Sequence, residues 1–230
     1  MAKSRLVALA TIAGTLGLVV LGSAPAQADN SWGGYHWATS NGTAQLSVIN
    51  SSTSDWNARL QTAVDDWNQS PALSLAITQG STDSSTRRRC ASPAAGSNSV
   101  RVCNYSYGRT GWVGIASIDT SDGTHISTGT DKQNETYLTG GQYNESAHQH
   151  VICQEIGHLW GLDHQFTNAG SCMDYAGIND PAYVHPNQHD YDELGIIYNH
   201  SDGALAVAKP SAATSTIRTG TTVTNILWVD

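Results

Sequence analysis

Charge is what this chain has least of. Only 13% of its residues are Asp, Glu, Lys or Arg, and bases are the scarcer kind, 11 against 19 acids. Binding phosphate needs clustered bases, so the balance argues against a nucleic-acid partner. The one basic cluster, Arg87-Arg88-Arg89, stands in a Ser/Thr-rich stretch and reads as a solvated loop open to nicking. Beyond Leu21 there is no apolar run long enough to span a bilayer. Internal repeats are lacking too, which removes solenoids and propellers.

The single apolar run lies at the start. Lys3 and Arg5 precede residues Leu6 to Leu21, and Ala26-Gln27-Ala28 fits a small-x-small cleavage site. The run is short and interrupted by glycine, so the expectation is a signal peptide, residues 1–28, rather than an anchor. The mature protein is then secreted and extracellular, with no membrane contact after cleavage. Removing that segment takes away two bases and no acids, and moves the formal charge from −8 to −10. The remaining cysteines, Cys90, Cys103, Cys153 and Cys172, are even in number. In an oxidising compartment they imply two bridges, with three possible pairings. Proximity in sequence favours Cys90 with Cys103 and Cys153 with Cys172.

The 230 residues suffice for one ordinary domain with a real core. "TSDWNARLQTAVDDWNQSP" has Trp56, Leu60, Val64 and Trp67 at helical spacing, with Thr53 or Ser54 as cap and Pro71 just past the end. "GGYHWATS" reads as the first strand-like run. "LSLAIT", "SVRVCNY" and "GWVGIASI" follow as short strands, and "THISTGTDKQNETYL" as an extended one with a turn. A second helix is expected from Ser146 to about Leu162, and a third from Asn187 to Tyr198. The order makes the chain α+β. A domain at 29–200 is followed by an extension, 201–230, in which "TTVTNILWV" suits a late strand. Seven tryptophans raise the thought of a glycan-binding module, but Trp56 and Trp67 are already spoken for as core.

The second helix carries the chemistry. Gln154 and His158 are four apart and share a face. Ile152, Ile156 and Leu159 lie opposite, toward the core. Glu155 is offset by one position, where its carboxylate can reach a water held by the first face. Gly161 ends the helix, since glycine readily takes the left-handed conformation needed there. The turn swings His164 back toward the same point. Three ligands with an open fourth position are what a catalytic zinc requires, and an adjacent carboxylate supplies a base. His150 shares the face but lies about 12 Å of helix rise from His158, too far to share one ion.

"QEIGHLWGLDH", residues 154–164, resembles the metzincin signature H-E-x-x-H-x-x-G-x-x-H in every defining position but the first. Its "GLDH" ending is similar to that of matrixin-like members. Met173, nine residues after His164 in "SCMDY", matches the family's methionine turn, and Tyr175 matches the tyrosine that astacin-like members place beside the metal. The resemblance implies a metzincin-like α+β fold: a mixed twisted sheet with two long helices in a larger N-terminal subdomain, and a small C-terminal subdomain below an active-site cleft. It implies a monomeric zinc endopeptidase acting on peptide or protein substrates. Gln154, His158 and His164 would hold Zn2+, Glu155 would be general base, Tyr175 would bind the oxyanion, and Gly161 and Met173 would give structural support. It also implies that "HISTGTDKQNETYL" is the edge strand that pairs with substrate.

Gln154 stands where the family has histidine. Its amide oxygen has a similar reach and no charge, but is a weaker donor to zinc than imidazole. Two readings stay open: a working site that binds its metal less tightly, and an inactive scaffold that grips peptides without cutting them. No cysteine lies between Ala28 and "GGYHWATS" to plug a zinc site, so the latency of matrixins is not expected.

Overall fold

The structure is a computed structural model that describes residues 30–202, 217–219 and 221–229. The expected signal peptide, 1–28, lies outside the described residues. Eight strands form one sheet: β1 (His36–Trp37), β2 (Ala44–Asn50), β3 (Leu73–Gln79), β4 (Ser99–Tyr105), β5 (Trp112–Thr120), β6 (His125–Asn134), β7 (Ile217–Thr219) and β8 (Thr222–Trp228). Seven follow the order β3-β2-β4-β6-β5-β8-β7, and β1 pairs with β6. Pairing is parallel from β3 to β6 and antiparallel from β6 through β5 and β8 to β7. The helices are α1 (Asn57–Trp67), α2 (Ser84–Arg89), α3 (Glu135–Leu138), α4 (Glu145–Leu159) and α5 (Gln188–Ile197). This is a mixed α+β architecture, and among the described residues no helix is long and apolar enough to cross a membrane.

The amphipathic stripe of α1 decides its place. Trp56, Leu60, Val64 and Trp67 are all buried, and α1 joins the parallel neighbours β2 and β3. Its start differs from expectation. Ser54–Trp56 is a 3-10 turn, and the Thr53 side chain makes no capping bond but instead accepts from Nδ2 of Asn104, 2.8 Å away. Helix α4 is buried on nearly every side from Val151 to Leu159, including the face carrying Gln154 and His158. A helix that is covered all round is a core element, not a surface one. Asn187 caps α5 in a reciprocal box with Asp190.

Three expectations need correction. Residues Ala44–Asn50 alternate buried and partly exposed positions and form β2, between β3 and β4, whereas only His36–Trp37 of the "GGYHWATS" run is strand. The basic cluster is not a loop: Asp83 accepts from the Ser85 and Thr86 amides and starts α2, and Arg87 lies over Tyr105 and bonds the Asn104 carbonyl at 3.0 Å. Most consequentially, β6 is not an edge strand. It is hydrogen-bonded to β4 on one side and β5 on the other, so it has no free ladder to offer a peptide. Nor is β5 open: residues 222–228, expected as a late strand, form β8 and run antiparallel along it, Ile115 opposite Ile226.

Two disulfides join Cys90 to Cys103 and Cys153 to Cys172. The first ties the end of α2 to β4. The second ties the middle of α4 to the turn that carries Met173, so both halves of the resemblance share one covalent link.

Candidate metal centre

Helix α4 stops at Leu159, and Gly161 follows with φ +98. Two demands meet at this glycine. Its backbone is left-handed, and any Cβ there would fall inside 3.0 Å of the Tyr35 carbonyl oxygen. Trp32 donates to the Gly161 carbonyl at 2.7 Å, so the N-terminal segment clamps the turn. Past the turn, His164 comes back to the helix, its Nε2 3.2 Å from Nε2 of His158.

The tautomer of His158 is fixed by its surroundings. Its Nδ1 faces the Leu162 carbonyl at 2.8 Å, and a carbonyl only accepts, so Nδ1 carries the proton and Nε2 is a lone pair. Two nitrogens in this position share either a proton or a cation. A tetrahedral zinc with ~2.0–2.1 Å bonds sets ligand nitrogens about 3.3–3.4 Å apart, which the observed spacing fits. Burial lowers the pKa of His158, and that of His164 is pushed well below its ordinary value by burial and then by the imidazoles of His158 and His150. Both are therefore neutral, as ligands must be.

Gln154 lies one turn before His158, fully buried. Its Nε2 donates to the Asp174 carbonyl at 3.1 Å, which fixes the amide's orientation and leaves Oε1 buried without a hydrogen-bond partner. An orphaned buried carbonyl is costly unless something fills its lone pairs. The residues present thus fit a cation. Met173 packs beneath α4 at Gly157, where a Cβ would run into its sulfur and into Trp67. Tyr175 sets its ring perpendicular to that of His164, centroids 4.9 Å apart, and stacks on the exposed Phe166. The turn between is held by Asp174, which accepts from the amides of Asn168 and Ser171. It is held also by Asp190 at the start of α5, which accepts from the Ser171 hydroxyl and the Gln165 amide.

Glu155 occupies different ground. It is fully buried where α4 crosses β5, over Gly114, and a Cβ there would fall inside 3.0 Å of its carboxylate and meet Val151 at 2.6 Å. Neither oxygen has a well-aligned donor, though the Ala116 amide stands near. Burial first, then the buried Asp131 of β6, raises its pKa well above the usual carboxylate range. Burial does the same to Asp131 despite the Gln133 amide bonded to it. Two buried carboxyls thus lie near each other, both favouring the protonated form.

Several residues were set aside or missed by sequence reasoning. His150 is buried, with Nδ1 held by the Tyr183 carbonyl at 2.7 Å and Nε2 unpartnered, and burial lowers its pKa to about 4. Spacing along one helix gave no reason to include it. Gly114 makes room for Glu155, which only the packing of α4 on β5 shows. Asn225 of β8 donates to Asp163 at 3.0 Å and lies 3.3 Å from Nδ1 of His158. Gln154, Glu155, His158 and His164 are all at most 4% exposed, so with β8 in place the centre is closed to solvent.

No protein-family model matches the chain, and no curated protein matches it. Among solved structures it is similar to high choriolytic enzyme 1, a hatching enzyme zinc-protease from the medaka fish Oryzias latipes. The identity is 12% and the TM-score 0.37, over 72% of this chain and 94% of that one.

Proposed function

We propose that this protein is a secreted zinc endopeptidase of metzincin-like build, with Gln154, His158 and His164 as metal ligands and Glu155 as the proton-handling group. The observation that carries the reading is the 3.2 Å approach of two Nε2 atoms whose protons the surroundings direct elsewhere or leave shared. The orphaned Oε1 of Gln154, one turn away on the same helix face, adds a third donor. Zinc there would polarise a scissile carbonyl and make its bound water a nucleophile near neutral pH. The remaining steps belong to the chain. Glu155 would take a proton from that water and pass it to the leaving amine. Tyr175, whose ring packs against His164, would donate to the oxyanion. Two disulfides suit the extracellular setting that the N-terminal sequence implies.

A second reading has one observation in its favour. With β8 on β5 and Asn225 beside His158, no open strand edge stands next to the centre among the described residues. A scaffold that holds its own strand there would bind without cutting.

Zinc content of the purified protein and of Gln154→His, measured beside hydrolysis of unfolded casein with and without EDTA, separates the two. The enzyme reading expects bound zinc in both proteins, chelator-sensitive cleavage, and loss of cleavage in Glu155→Gln with zinc retained. Cleavage that survives Glu155→Gln, or no zinc in either protein, ends it.

A further inference from the structure

A second group of histidines lies apart from this centre. We infer that His36, His200 and Asp202 form a structural zinc site that pins the N-terminal segment to the chain leaving α5, with His125 as the residue that orients the aspartate. The inference shares no residue with the proposed active centre and stands or falls independently of it.

The three ligand atoms lie within 4.8 Å of one another. Nε2 of His200 is 2.8 Å from Oδ1 of Asp202 and 3.0 Å from Nε2 of His36, which is itself 3.4 Å from that oxygen. A zinc with ~2 Å bonds to nitrogen and oxygen would hold such atoms about 3.3 Å apart, so a small contraction or spread of the trio accommodates it. Imidazole and carboxylate are the donors that suit zinc among divalent ions.

The outer contacts argue for a cation rather than for a chance cluster. Nδ1 of His36 faces the Gly34 carbonyl at 2.8 Å, so that nitrogen carries the proton. Its Nε2 is left to face Nε2 of His200 and Oδ1 of Asp202, the side on which a cation would bind. The other carboxylate oxygen, Oδ2, accepts from the Thr39 amide at 2.5 Å, and the Asp202 amide donates back to the Thr39 carbonyl at 3.0 Å. His125 bonds Oδ1 through Nε2 at 3.2 Å, while its Nδ1 is tied to Asp122 at 2.5 Å. Ligands anchored through their far atoms are the usual companions of a metal site. His36 is on β1, His125 opens β6, and His200 and Asp202 follow α5, so one ion would cross-link three segments separated by up to 166 residues. The His200 side chain is 38% exposed, which leaves a fourth position for water.

The test counts zinc. The full chain, stripped with EDTA and re-equilibrated with zinc chloride, is compared with His200→Ala and with His158→Ala/His164→Ala by metal analysis and by the visible spectrum after cobalt substitution. His200→Ala is expected to lose one equivalent and keep the casein activity of the parent, because its ring is on the surface. The double variant is expected to retain one equivalent with a tetrahedral cobalt spectrum. EDTA should lower the melting temperature of the double variant, and should leave a variant that also carries His200→Ala unmoved. A folded double variant that binds no zinc, or a His200→Ala protein that loses none, overturns the site. If instead the double variant keeps its equivalent while casein is never cut, the proposed enzyme fails and this site survives.

Discussion

Gly161→Ala tests whether the turn after α4 is what brings His164 to His158. The Cβ of alanine meets two penalties. A left-handed backbone costs a non-glycine residue about 1–2 kcal/mol, and φ here is +98. The Cβ would also fall inside 3.0 Å of the Tyr35 carbonyl oxygen, an atom of rigid backbone. Relieving that clash means backing away the segment whose Trp32 amide donates to Gly161 at 2.7 Å, a bond worth about 1 kcal/mol. The combined loss is about 3 kcal/mol, which in a domain of this size lowers the melting temperature by roughly 6–12 °C. Gly141→Ala is the control, since it also has positive φ (+78) but open space around its Cβ. It should cost only the backbone share, roughly a third to two thirds as much. Thermal unfolding by circular dichroism measures both, and zinc titration of the folded fraction follows His164. Equal shifts for the two substitutions, or unchanged zinc affinity in Gly161→Ala, would refute the argument that close approach at this turn builds the centre.

Gly114→Ala should leave zinc bound but abolish casein cleavage, because its Cβ displaces the Glu155 carboxylate; activity within a few-fold of the parent contradicts the role given to Glu155. Stability should fall in acid through His150. The unfolded chain takes up that proton near pH 6.5 and the folded one only near 4, so stability present above 6.5 is lost as the pH drops toward 4, by about 3 kcal/mol. Urea unfolding of His150→Asn across that range should show the decline reduced by this amount, and an unaltered slope counts against burial as the cause. A chain ending at Asp202 lacks β8 and bares the β5 ladder. It should be less stable, since Val223 and Leu227 are buried, yet should bind an extended fluorescent peptide that the full chain excludes. Peptide binding no better than that of the full chain would show that β8 does not occupy the substrate's place.

Much of the local structure was legible in the residues. The stripe from Trp56 to Trp67 marked α1, Gly161 marked the end of α4, and "NQHDYDELGIIY" marked α5, because helix periodicity and capping depend on neighbours within four positions. Gln154, His158 and the turn to His164 could be placed on one side of a helix for the same reason. What each strand borders was not legible. "HISTGTDKQN" was expected at an edge through the resemblance alone but lies between β4 and β5, with Gln133, Asn134 and Asp131 bonded within the sheet and its turns. "AQLSVIN" gave no sign that it sits between β3 and β4.

The sequence by itself determined the three longer helices, the glycine turn and which residues share a face of α4, since those follow from backbone preferences and short spacings. Only the tertiary structure decided that Glu155 is sealed over Gly114 beside Asp131, that β8 covers β5, and that His36 meets His200 and Asp202. Each of these joins residues far apart in the chain, and such contacts are selected by the packing of the whole core and the competition for sheet edges, which no short window of sequence encodes.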